Sequence, residues 1–488
     1  VNDEPLRVPG LDDDEIRTVN LLAKQLKDKT PHNRKRSDLY DGKSALRQVG
    51  TIIPPQYYKL GLALGWAAKG VDGLARRCNL DDMVWTGGSL DDLGMQELKD
   101  SNFLMSELSQ ARTDSLIHGV SYLITTKGDE SEGEPAALVH AKDALNATGE
   151  WNNRKRRLDN LLSVTSRERN RITGFVLYLD GETVNADRVD GKWVVERSEH
   201  DWHVPVDPLI YKPRTSKHMG RSRITRAAIS HQYSALRELV RLEAHMDVFT
   251  IPQLILLGAD ERIFKNTDGS FKASWQVALV RVFGIPDAVD DDGQPIEGPT
   301  ARAAVEHIAA QSPAPHLADL NALAKLEARE YDLPDSDFAM TDFANPTGAD
   351  SYTASRENLL SEAEGATEDW SVSIRKTVVR ALAIQNGVTE IPKDWASIDT
   401  RWRNPMFLSR AAQADAGAKE IASLPGWVKE TTVAMRRLGW SQQEIDLALQ
   451  ERRQSVGRQS AAAIIAARTT EVANGDAVGV ESTTDSPG

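Results

Sequence analysis

The side chains of this chain with the strongest chemical potential are clustered acids and cations rather than nucleophiles. Glu97-Leu98-Lys99, with Asp81, Asp82, Asp91 and Asp92 upstream, has the residue types of a metal-dependent nuclease. There, carboxylates hold a divalent ion and a lysine stands near the scissile phosphate. The triplet nevertheless lies in a helical pattern with Leu93, Met95, Leu98 and Phe103, so a solvated helix face is the simpler reading. Gly42-Lys43-Ser44 ends like a phosphate-binding loop, but that loop needs a glycine at position 37, where serine stands. Gly220-Arg221-Ser222-Arg223-Ile224 lacks the last glycine of a nucleophile elbow. His200 and His203 have no third ligand to complete a metal site. Asp290–Gly293 lacks the alternation of a calcium loop and reads as an acidic turn. No catalytic, metal or cofactor site is expected.

A basic run is more distinctive. Lys212, Arg214, Lys217, Arg221, Arg223, Arg226 and Arg237 fall between Asp207 and Glu238 with no acid among them. Cations near a helix start oppose the helix dipole, so partners must compensate them. Acidic neighbours on another subunit, DNA phosphate and plain solvation all remain open, with Arg221, Arg223 and Arg226 as the candidate contacts. Arg154-Lys155-Arg156-Arg157 is a second cluster and reads as a solvated loop.

Composition narrows the classes. The 59 basic and 72 acidic residues leave a net charge of −13, which argues against a generally cationic nucleic-acid binder. An acidic surface can still line a path for DNA without gripping it. Cys78 is the sole cysteine, excluding an internal disulfide and a multi-cysteine metal site. Apolar runs such as Ile251–Leu257 fall far short of a membrane helix, and the first ten residues carry no apolar signal core. A soluble, intracellular protein is expected.

The elements that must position these groups are mostly helical. Residues 11–30 carry Ile16, Val19, Leu22 and Leu26 at helical spacing behind the acidic turn Asp12–Glu15. Helices are also expected around 54–77 and over 90–118. Residues 120–211 read as one antiparallel sheet, with hairpin turns at Asp180-Gly181 and Asp190-Gly191. A ladder from Ile224 through Ala228, His231, Ala235, Leu239, Leu242 and Met246 to Phe249 predicts a long amphipathic helix. Strands are expected at 252–258 and 275–285, and a weaker helix at 317–330. Thr347–Asp350 has the spacing of a capping box. It opens a helix to about Asn386, roughly 50 Å long, with Tyr352, Leu359, Ala363, Ala366, Trp370, Ile374, Val378 and Leu382 on its buried stripe. Residues 408–468 are Ala-rich and helical, with breaks at Pro425-Gly426 and near Gly439. The polar tail is expected to be disordered.

Several stretches, in this order, resemble the portal proteins of tailed double-stranded DNA bacteriophages, in the long-tailed-phage branch. They are Tyr40-Asp41-Gly42 followed by Pro54; Trp66, Val71 and Asp72 before Arg76-Arg77; and Leu98 to Tyr122 with Asn102, Gly119 and Ser121. Gly220-Arg221-Ser222-Arg223, then Pro252-Gln253 and Leu257-Gly258, and finally Asn345-Pro346-Thr347-Gly348-Ala349-Asp350 complete the set. Together they span residues 35–385.

The resemblance implies an α+β, mainly helical subunit with wing, stem, clip and crown, assembling into a ring that is usually a dodecamer. Its wing would be 1–220 together with a long helix and return at 350–405. Stem helices would be 221–249 and 315–330, with a clip at 250–314 between them. A tunnel loop at 331–349 would face DNA through Asp335, Asp337, Asp342, Asn345 and Thr347. A crown would occupy 406–472 and a disordered tail 473–488. Implied partners are double-stranded DNA in the channel, the large terminase motor, the major capsid protein and scaffold, and a head-completion or tail adaptor protein, with no membrane. The location would be the capsid portal vertex of the virion, after assembly in the host cytoplasm. The alternatives are a metal-dependent nuclease, or a helical scaffold or adaptor without a bore.

Overall fold

A computed structural model describes residues 5–43, 55–169, 171–249, 253–257, 304–338, 355–406, 410–440, 444–445 and 447–456, with short pieces at 265–266, 268–271, 294 and 458. The chain divides into two compact units, Val1–Pro405 and Met406–Gly488.

The first unit opens with α1, Asp13–Tyr40. Asp12 Oδ1 accepts the backbone N–H of Asp14 and Glu15, while Glu15 returns a carboxylate to the Asp12 N–H, a closed capping box. The helix runs past Pro31 instead of ending near residue 30 as its periodicity predicts. Its second half is anchored tertiarily: Asn33 donates to the Ala144 carbonyl at 3.0 Å and Tyr40 to Asp72 at 2.9 Å. Local propensity against proline loses to that anchoring.

Next come α2 (Trp66–Ala75) and β1 (Leu80–Trp85). The predicted helix 90–118 is two helices, α3 (Met95–Ser101) and α4 (Leu104–His118). The break has a reason. Asn102 turns its amide onto the neighbouring strand, donating to Ala137 O at 2.9 Å and accepting from Val139 N at 2.7 Å. Phe103 behind it is left-handed, at φ 48°.

Strands β2 (Val120–Lys127), β3 (Ala137–Lys142), β4 (Ala147–Asn152), β5 (Arg157–Glu168), β6 (Arg171–Tyr178), β7 (Glu182–Val189), β8 (Lys192–Glu199) and β9 (Val206–Ile210) follow. They form two sheets, not the single one expected. One has the order β3-β2-β9, and the other is the meander β4-β5-β6-β7-β8. Both are antiparallel throughout. The chain leaves the first sheet after β3 and returns to it only with β9, which local pattern cannot reveal. The Asp190-Gly191 turn has φ 50° and 78°, the doubly positive geometry of a tight hairpin.

Helix α5 (Arg226–Phe249) leads to β10 (Gln253–Leu257), which pairs antiparallel with β11 (Ala304–Ile308). Helix α6 (Ala314–Glu330) then returns along α5. Residues 221–225, expected inside the first stem helix, are instead a non-helical strap before it. The strand expected at 275–285, the capping box at 347–350 and the tail from 473 lie outside the described residues.

Helix α7 (Glu357–Gln385) is the core of the unit. At 29 residues it is about 44 Å long. Leu359, Ala363, Trp370, Ile374, Val378 and Leu382 are fully buried among α2, α3, β2, β3, β9 and β12 (Ile398–Trp402), which pairs with β1. Its length therefore serves this chain's own core. The second unit contains α8 (Arg410–Ser423), α9 (Gly426–Lys429) and α10 (Thr432–Arg437).

Candidate functional site: a buried ion-pair junction at the root of a helix pair

The strap before α5 crosses the end of α4, where the Ser222 hydroxyl donates to Ile117 O at 2.5 Å and Arg223 N to Leu116 O at 2.8 Å. This delivers the Arg223 side chain into the interior, where it is 5 % exposed. Its guanidinium donates to Gly70 O on α2 at 2.8 Å, to Tyr331 O at the end of α6 at 2.6 Å, and to the Tyr211 hydroxyl at 3.2 Å. It also pairs with Glu362 of α7 at 2.5 Å. Lys212 and the Tyr211 hydroxyl take the other carboxylate oxygen. Burial opposes the Glu362 charge, but Arg223 foremost, then Lys212 and Tyr211, outweigh it and hold its pKa below the ordinary value. The junction thus joins α2, the strap, α6 and α7 through one saturated cation.

Aromatic rings complete it. Arg223 lies over the Tyr331 ring at 5.6 Å, Tyr331 stacks on Phe338 at 6.1 Å, and Phe338 meets Trp66 edge-on. Gly70 is needed for this approach, because a Cβ there would stand 2.5 Å from the Tyr331 ring. The segment leaving α6 starts from this rigid root.

The helix pair above it is sewn by polar contacts. The Thr225 hydroxyl donates to Glu330, His231 Nδ1 meets Glu327 at 3.1 Å, and His316 Nδ1 meets Glu238 at 2.5 Å. Arg241 also pairs with Glu238 at 2.9 Å. The partners run in opposite directions along the two helices, so the pair is antiparallel. Glu327 is fully buried, and burial together with Glu330 pushes its pKa up to about 8.

The basic run therefore divides. Arg223 is internal and cannot be a contact for DNA or a neighbouring subunit: its charge is matched by Glu362, far along the chain in α7. Lys212 shares that acid, and Arg237 donates to Ser234 at 2.9 Å. Arg221 and Arg226 are exposed. Of the loop acids, Asp335 is exposed, whereas Asp337 pairs with Arg356 at 3.1 Å and is only 20 % exposed. Asp342, Asn345 and Thr347 lie outside the described residues. Glu362, the group on which the junction turns, carries no sequence signal beyond its place beside the buried stripe of α7.

The nuclease-like residues are used differently. Lys99 pairs with Asp82 at 2.8 Å, and Arg401 and Arg403 of the β12 edge reach Asp82 and Asp81 at 3.4 and 3.3 Å. These pairs join β1 to β12 and α3. His203 pairs with Asp180 at 2.8 Å, and His200 Nδ1 lies 2.9 Å from Trp202 O. Among the described residues no group of three or more His, Cys, Asp or Glu is placed to hold a metal ion. Nor is any of their helices long and apolar enough to cross a membrane.

A chain from the neck of a native gene transfer agent particle, computed with C12 symmetry, covers 83 % of this chain and 98 % of its own length, with 13 % identity and a TM-score of 0.42. A chain from the virion of a native gene transfer agent covers 81 % and 97 %, with 14 % identity and a TM-score of 0.39. The portal protein of Mycobacterium phage L5 is 24 % identical over 395 residues, 78 % of this chain and 76 % of its own. That of Mycobacterium phage D29 is 24 % identical over 429 residues, 86 % and 85 % respectively. The match to the phage portal proteins of the SPP1 Gp6-like type extends over residues 20–457, and the chain belongs to that family.

Proposed function

We propose that this chain is the structural, non-enzymatic subunit of a ring at a capsid vertex, through which double-stranded DNA is packaged, retained and ejected. The observation that carries the reading is the family match along residues 20–457. The architecture is consistent with it: an antiparallel helix pair, α5 and α6, leads out to a strand-bearing insert and back from it. In this reading residues 221–249 and 315–330 are the stem and 250–314 the clip, where the terminase motor and the head-completion or tail adaptor dock. Residues 1–220 and 350–405 form the wing, beside capsid protein and scaffold. Residues 406–472 form the crown, followed by the tail 473–488. Copies of the helix pair packed side by side around an axis make the barrel, and a head-to-tail contact closes the ring at about twelve subunits.

The loop 331–349 would face the bore. Asp335, Asp337, Asp342, Asn345 and Thr347 are its DNA-facing groups, with Asp337 also paired to Arg356. Carboxylates beside phosphate reduce sticking.

Negative-stain electron microscopy with native mass spectrometry of the purified chain tests the ring. Closed rings with a central hole are expected. A persistent monomer or dimer, both alone and with scaffold protein, would remove the reading. Asp335→Lys with Asp342→Lys is expected to slow DNA packaging, and an unchanged rate would remove the bore-facing role of the loop.

A further inference from the structure

The segment that joins α6 to α7 is seated at both of its ends. On the entering side, Leu333 N donates to Ala328 O at 2.9 Å, Asp337 N to Pro334 O at 2.9 Å and Phe338 N to Asp335 O at 3.1 Å. Leu333 and Phe338 are buried in the main core. On the leaving side, the Arg356 carbonyl accepts the Leu360 N–H at 2.9 Å as α7 begins, and Leu359 is fully buried. A side-chain contact joins the two ends across 19 positions of sequence. Arg356 Nη1 donates to Asp337 Oδ2 at 3.2 Å and Nη2 to Oδ1 at 3.1 Å, a two-pronged fork that lysine cannot reproduce. The two side chains are only 13 and 20 % exposed, so water and salt screen the pair less than one on the open surface.

Arginine is an unexpected residue at that place. Arg356 is the N-cap of α7 and makes no side-chain cap hydrogen bond. Local rules favour Asp, Asn, Ser or Thr at a cap, and a cation at a helix N-terminus opposes the dipole. Asp337 supplies what the cap lacks: it matches the guanidinium and brings a carboxylate to the start of α7. The choice of arginine is locally unfavourable and is accounted for by its partner at the other end of the segment.

We propose that Asp337 and Arg356 are positioning residues, which pin the two ends of segment 338–355 together and so set the place from which it meets DNA. Closing the segment at its root restricts the positions open to it. The consequence for DNA rests on the portal reading above, whereas the pin itself can be judged in the free chain.

One substitution separates pinning from ordinary helix capping. Arg356→Asp gives α7 a favourable cap and a favourable charge, yet sets two carboxylates against each other. Pinning predicts that amide hydrogen exchange over 338–355 in the full chain speeds up about tenfold. Capping alone predicts slower exchange at the start of α7 and no change over 338–355. Asp337→Asn removes the charge and Arg356→Lys the fork, and each is expected to speed exchange severalfold. Asp337→Arg with Arg356→Asp reverses the pair, and exchange is expected to return to within about twofold of the wild type. Exchange in α4, away from the pin, is the control for a general loss of folding. In assembled particles the fast-exchanging variants are expected to package less DNA, and the reversed pair to recover. Unchanged or slower exchange over 338–355 in Arg356→Asp, or no recovery in the reversed pair, would overturn the pin whether or not rings form. Fast exchange with unaltered packaging would overturn the positioning role and leave the ring intact. A wild-type chain that forms no rings would remove the portal reading, and exchange in the free chain would still decide the pin.

Discussion

Arg223 and Glu362 illustrate how far one residue's role depends on its partner. Both lie in the interior with the guanidinium saturated by four segments, so removing either leaves an unmatched buried charge. Arg223→Ala and Glu362→Gln are each expected to cost about 3–5 kcal/mol in urea unfolding. Glu327 behaves differently because its folded pKa is raised. Its carboxyl moves from 4.5 to about 8 through burial and then Glu330, while His231 and Tyr331 also face it. The folded state holds the extra proton, so this contribution is fully present below pH 4.5 and is lost as pH rises through about 8. His118 and His140, lowered by burial from 6.5 to about 4, act in the opposite sense, losing stability as pH falls through that interval. Glu327→Gln is therefore expected to flatten the fall of the urea midpoint between pH 4.5 and about 8, leaving the dependence outside that window unchanged. An unaltered slope between pH 4.5 and about 8 would show that Glu327 does not carry it.

At the scale of elements, the α3–α4 break separates packing from backbone strain. Phe103 is 77 % exposed and left-handed at φ 48°, a conformation that costs an L-residue about 1–2 kcal/mol. Phe103→Gly is expected to stabilise the chain by about 1 kcal/mol in urea unfolding. A loss of stability would mean that the ring contributes packing that its exposure hides. Trp370 lies at the opposite extreme, fully buried on α7 and in contact with Tyr211. Trp370→Ala is expected to cost about 3–5 kcal/mol, and the loss should appear as a lower thermal midpoint of the first unit.

For the whole molecule, the division of the basic run makes a discriminating experiment. Arg221 and Arg226 are exposed at the root of the α5–α6 pair, so Arg221→Glu with Arg226→Glu should leave monomer stability within about 0.5 kcal/mol. If these two face a neighbour, the same variant lowers the assembled fraction at low salt, with a weaker effect at high salt as charges are screened. Equal assembly at every salt concentration would assign them to solvent. Arg223→Ala should show the reverse, with stability falling first.

The sequence by itself determined those features whose cause is local. The acidic cap of α1, the Asp190-Gly191 hairpin, the amphipathic ladder of α5 and the stripe from Leu359 to Leu382 were legible because capping, turn geometry and helical period act over a few residues. The ordered motifs from Tyr40 to Asp350 were legible too, and the family match agrees with them. Only the tertiary structure decided that α1 continues through Pro31, that Asn102 breaks a helix to serve a strand, and that residues 120–211 form two sheets. It also decided that Arg223 points inward to Glu362 while Arg221 and Arg226 stand exposed on the surface of the chain. Each of these depends on a partner brought close by the return of a distant segment, and neither the period nor the composition of the local stretch contains that partner.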